Sequence, residues 1–99
     1  MKSLDEIKKV LKDNKEKIRS TYQIKEIGIF GSYVKEKMRE TSDIDILIEF
    51  EKDARVTLID LLKLENYLTE LFGVRVDIVI KEALKPNIGK RILEEVIYL

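Results

Sequence analysis

Ile27-Gly28-Ile29-Phe30-Gly31-Ser32, ten further residues, then Asp43-Ile44-Asp45-Ile46-Leu47-Ile48 is the stretch that decides how this chain folds. An apolar run that stops at a glycine–serine pair reads as a strand feeding a tight turn. A second isoleucine-rich run, alternating at its start, reads as another strand. Side chains two apart on a strand share a face, so Asp43 and Asp45 project together, with Cα atoms roughly 6–7 Å apart. A third aspartate, Asp77, lies inside the later run Val74-Arg75-Val76-Asp77-Ile78-Val79-Ile80.

Working outward, Ser3-Leu4-Asp5-Glu6 forms a capping box. Leu4, Ile7, Val10, Leu11 and Ile18 then recur at helical spacing, which predicts a helix to about residue 19. A strand follows over Ile24 to Phe30. Ser32, as N-cap, begins a short helix to about Lys37, and Met38 to Ser42 is a polar connection. Ile44 to Phe50 is the second strand and Glu51 to Val56 a charged loop. Thr57 caps a long helix bearing Leu58, Ile59, Leu61, Leu62, Leu64, Leu68, Leu71 and Phe72, which Gly73 closes. Val74 to Ile80 is a third strand, and Lys81 to Lys85 a turn or short helical piece. Pro86 opens a last helix that carries Ile88, Ile92, Leu93, Val96 and Ile97. The expectation is one α/β domain spanning residues 1–99, a small mixed sheet of about three to four strands flanked by helices.

Composition narrows the chemistry. The chain has 99 residues, 44% hydrophobic and 38% charged, and its nineteen basic residues balance nineteen acidic ones. A dedicated nucleic-acid binder usually shows a basic excess, so direct RNA or DNA binding is not expected. Without cysteine there are no disulfides, thiolate nucleophiles or zinc–thiolate sites, and without histidine there is no imidazole. Catalysis must use carboxylates, hydroxyls, amines and metal. The polar N-terminus is no signal peptide and no apolar stretch approaches membrane-spanning length, so a cytoplasmic protein is expected.

Paired carboxylates at this spacing can reach one hard cation or two adjacent ones. Magnesium favours carboxylate oxygens and shares its shell with substrate phosphates. Two such ions can clamp the attacking and leaving oxygens of an in-line displacement. Asp77, on a neighbouring strand, would complete the cluster or take a proton from an incoming hydroxyl. Gly31 lets the backbone turn sharply against a phosphate, and Ser32 offers a hydroxyl and free amides. Lys35, one turn further on, supplies a cation for a triphosphate. Each feature alone has a plainer explanation: a wet sheet face, a capped turn, a solvated lysine. Their coincidence at the ends and middles of strands raises the functional reading.

The pattern Gly31-Ser32-x10-Asp43-x-Asp45, with Asp77 as third carboxylate, resembles the DNA polymerase β-like nucleotidyltransferase superfamily. The chain's length points to its minimal members, the MNT antitoxins. The tail, with Val76-Asp77-Ile78-Val79, Ala83-Leu84-Lys85-Pro86 and Ile92-Leu93-Glu94-Glu95-Val96-Ile97-Tyr98-Leu99, is similar to the ending common in that group. The resemblance implies the minimal polymerase β-like fold and an antitoxin of a type VII-like toxin–antitoxin module. Such proteins pair with HEPN-domain ribonuclease toxins, and the better-understood ones transfer AMP from ATP to a toxin tyrosine with Mg2+. Carried over, Asp43, Asp45 and Asp77 are catalytic and hold one or two metal ions, and Gly31, Ser32 and Lys35 hold the nucleotide. Many relatives have arginine–glycine where this chain has Lys35-Glu36; lysine keeps the charge but loses the guanidinium fork.

Size also bears on the acceptor. Almost nothing lies beyond the sheet and its helices, so another chain must present the hydroxyl. The Leu58–Phe72 segment is apolar around more than half its circumference, which suits a partner surface as well as burial or self-association. Two alternatives stay open: an antitoxin that neutralises by binding alone, and a small-molecule nucleotidyltransferase working with a second chain.

Overall fold

A computed structural model describes residues 3–35, 37, 39 and 42–99. Chain order is α1 (Leu4–Tyr22), β1 (Ile24–Phe30), a 3-10 turn (Gly31–Tyr33), β2 (Ile44–Phe50), α2 (Leu58–Phe72), β3 (Val76–Ile80), a second 3-10 turn (Lys81–Ala83), α3 (Pro86–Glu95) and β4 (Ile97–Tyr98). The sheet is mixed, in the order β3-β2-β1-β4. β1 runs antiparallel to β2 and β4, and β2 runs parallel to β3.

Local chemistry sets the helices. Ser3 and Glu6 close a reciprocal cap on α1, and Thr57 and Asp60 do the same on α2. Each satisfies amides that would otherwise lack partners. α1 runs three residues past the expected Arg19, because Tyr22 continues the spacing of Ile18 and packs on the core. Gln23 ends it in the left-handed region (φ 57°) and Gly73 ends α2 likewise (φ 68°).

Alternation along the strands splits the sheet into two faces. One face carries Ile27, Ile29, Ile44, Ile46, Ile48, Val76 and Ile78, which pack with Ile7, Leu11 and Ile18 of α1 and Leu64, Leu68 and Phe72 of α2. Fully burying each such side chain stabilises by about 1.5–3 kcal/mol. The opposite face carries Gly28, Phe30, Asp45, Leu47, Glu49, Asp77 and Val79, as the register requires.

Three further expected boundaries shift. The strand expected from Val74 begins at Val76. The short helix after β1 is a 3-10 turn that starts at Gly31, with no side-chain cap, so Ser32 is inside it rather than its N-cap. Glu36, Met38, Glu40 and Thr41 of the expected short helix and connection lie outside the described residues. The last helix stops at Glu95, and Ile97 and Tyr98 pair instead with Ile29 and Gly28. The open edge of β1 accepts them because Gly28 leaves room: a Cβ there would stand 2.6 Å from Val96 Cγ2.

Candidate active site

The site forms where β1 ends and β2 and β3 begin. Asp45 stands opposite Phe30 on one side and Asp77 on the other. Parallel register puts the Asp45 and Asp77 side chains on the same face, and Asp43, just ahead of β2, comes within hydrogen-bond reach of Asp77. Gly31 turns the chain with φ +80°, and a Cβ there would overlap the Asp45 carboxylate. Only glycine brings the turn's backbone that close, so turn and carboxylates are one site.

Charges report the same convergence. Burial first, then the Asp77, Asp43 and Glu95 carboxylates, pushes Asp45 from the ordinary 3.8 up to about 6. Asp77 is also raised, by partial burial and by the charge and hydrogen bond of Asp43, with Arg75 pulling the other way. Burial raises the phenol of Tyr33 and the Asp43 charge adds to it.

The donor set fits a hard divalent cation. Three carboxylates that repel one another are relieved by positive charge. Among the described residues no group of three or more acidic side chains is placed to hold a metal ion as it stands. Magnesium needs only one or two carboxylates and completes its shell with water and substrate phosphate, so a pair of these aspartates would suffice to hold it.

Of the expected nucleotide contacts, Gly31 lies against Asp45 and Ser32 follows within the turn. Lys35 does not stand free. Its Nζ pairs with Glu95 Oε2 at 2.9 Å, and Glu95 Oε1 accepts the Gly31 N–H at 3.2 Å. Sequence reasoning missed Glu95, which arrives from the far end of the chain. One signal was available: a glutamate in the last turn of a helix opposes the macrodipole, so its placement serves something other than helix stability. A cavity of about 490 Å3 lined by Phe50, Val56, Leu61 and Ile80 lies at the opposite end of β2 and includes none of these residues.

Comparison with known proteins establishes the family. Residues 5–99 match the family model described as nucleotidyltransferase domain. The chain belongs to the nucleotidyltransferase family. Protein adenylyltransferase MntA of Thermococcus cleftensis is 43% identical over 99 residues, covering 100% of this chain and 98% of the relative. A solved structure of a provisionally assigned minimal nucleotidyltransferase is 34% identical, with a TM-score of 0.73, and covers 92% of this chain and 94% of its own. The same fold recurs in the MNT antitoxin of a structure of a tri-AMPylated Shewanella oneidensis HEPN toxin in complex with MNT antitoxin. That match has a TM-score of 0.60 at 21% identity, over 95% of this chain and 66% of the other. The expected minimal nucleotidyltransferase fold is thus borne out. Among the described residues of this nucleotidyltransferase, no helix is long and apolar enough to cross a membrane.

Proposed function

We propose that this nucleotidyltransferase is a magnesium-dependent protein adenylyltransferase and the antitoxin of a two-protein module. It transfers AMP from ATP to a tyrosine of a HEPN-class ribonuclease toxin. The observation that carries the reading is the placement of Asp45, in register with Asp77 and pressed against the Gly31 turn. Carboxylates for metal and a backbone turn for phosphate meet at one point. The adenylyltransferase name of a 43% identical relative supports AMP as the transferred group.

In this reading Gly31, Ser32 and Lys35 hold the triphosphate tail, while Asp43, Asp45 and Asp77 hold the metal. Bound there, magnesium would stabilise charge on the α-phosphate and on the departing pyrophosphate. The tyrosine oxygen attacks the α-phosphorus and the bond to the β-phosphate oxygen breaks. The phenolic proton passes to an aspartate of the cluster; Asp77, the exposed member on the edge strand, is the assigned acceptor. The added group is bulky and anionic, which suits silencing of a nuclease.

Exposed apolar residues favour a protein acceptor. Leu58, Ile59 and Leu62 on the first turns of α2 are 73%, 65% and 52% exposed. The test is to incubate the cognate toxin with this chain, ATP and magnesium, and to weigh the toxin. A gain of AMP that is absent with Asp43→Ala/Asp45→Ala is expected. Full neutralisation by that variant without any mass gain would establish masking and overturn the enzymatic reading.

A further inference from the structure

Glu95 occupies the place the nucleotide needs. Its two oxygens take the Gly31 amide and the Lys35 ammonium, the same donor pair assigned above to a triphosphate. A backbone N–H at the start of a turn together with an ammonium is an anion-binding pair, and a carboxylate satisfies it as a phosphate oxygen would. The fit is charged on both sides, since Glu95 also presses on Asp45. A polyphosphate arriving here would meet four carboxylates unless one withdrew. Asp45 and Asp77 are held on paired strands, whereas Glu95 sits at the last residue of α3 with its side chain 21% exposed. It has a route to solvent.

We propose that Glu95 is an internal stand-in for a phosphate group, holding Gly31 and Lys35 in binding geometry until a nucleoside triphosphate displaces it. The inference rests on the reading of Gly31 and Lys35 as the nucleotide seat. It adds a self-competing anion that sets the threshold for nucleotide binding. The contrary role, a positioning residue that stays in place while the nucleotide binds, predicts the opposite sign on mutation.

Binding of magnesium–ATP and of magnesium tripolyphosphate is measured by calorimetry on the intact chain, Glu95→Gln and Glu95→Ala. Displacement requires both variants to bind both probes more tightly, by about three- to tenfold, the range given by removing a partly exposed ion pair and a repelling charge. Unchanged or weaker binding by the variants, with the intact chain still binding, overturns the stand-in and leaves the nucleotide seat standing. No binding by any of the three proteins removes the seat and this inference with it. A second measurement needs no substitution. The Glu95 carboxyl carbon resonance of the intact chain is followed as tripolyphosphate saturates it. A move to the value of a solvated glutamate is expected, and an unmoved resonance at saturation overturns the proposal.

Discussion

At the scale of single residues, the site stores instability. Asp45 in the folded chain binds its proton more tightly than in the unfolded chain, because burial and three neighbouring carboxylates raise it to about 6. Unfolding therefore releases a proton between the ordinary aspartate value and about 6, and stability falls as pH rises through that window. Asp45→Asn is expected to stabilise the metal-free protein at pH 7.5 by on the order of 1 kcal/mol, after allowance for solvent screening. The gain should shrink as the solution is acidified from 6 towards 4, in urea titrations at each pH. The same variant is expected to lose AMP transfer, the usual trade between stability and a functional site. Gly31→Ala works in the other direction. A Cβ meets the Asp45 carboxylate and the backbone is left-handed, so a loss of about 1–2 kcal/mol or more is expected in the same titration.

At the scale of elements, what could be read in advance followed period and punctuation. α2 was readable from end to end because Thr57, the apolar spacing and Gly73 all give local signals. β2 was readable because Ile44, Ile46 and Ile48 alternate with Asp45 and Leu47, and that alternation also put Asp45 on the face away from the core. β4 was not. Two residues show no period, and Ile97 continues the apolar spacing of α3 as well as it fits a strand. The deciding fact is tertiary: β1 has an open edge, and Gly28 lets Val96 and Tyr98 cross it. Glu95 was hidden for the same reason, since its partners Gly31 and Lys35 lie sixty residues or more away in sequence. This makes Gly28 a sharp test of the docking. Gly28→Ala should force Val96 and the Ile97 carbonyl outward and cost about 1–3 kcal/mol, the usual range for overpacking. Hydrogen exchange at Ile97 and Leu99 should quicken, while amides in the middle of α2 slow or quicken only with global stability.

At the scale of the whole molecule, the division of the sheet into two faces separates stability from chemistry. Helices α1 and α2 bury one face, and the carboxylates sit on the other with Gly31 and Glu95. The core is thus complete without the first turns of α2, whose lower half buries Leu64, Leu68 and Phe72. Leu58, Ile59 and Leu62 fall at i, i+1 and i+4, so Leu58 and Leu62 are neighbours on the helix surface and Ile59 adjoins them. Exposed as they are, they contribute little to folding, and a charge placed among them should leave stability within about 0.5 kcal/mol. An interface anchored there would lose far more, because a buried unpaired charge is costly and a few apolar anchors carry most binding energy. Ile59→Glu is therefore expected to keep the melting temperature and the affinity for magnesium–ATP, yet to weaken association with the cognate toxin by about tenfold or more. Titration calorimetry of the two proteins measures it, with Ile88→Glu on α3 as the comparison, since Ile88 is 57% exposed on a different helix. Unchanged affinity in Ile59→Glu with a loss in Ile88→Glu would move the toxin contact from α2 to α3. Loss of toxin binding without loss of magnesium–ATP binding would show that presenting the tyrosine and holding the nucleotide are tasks of separate surfaces on one small sheet.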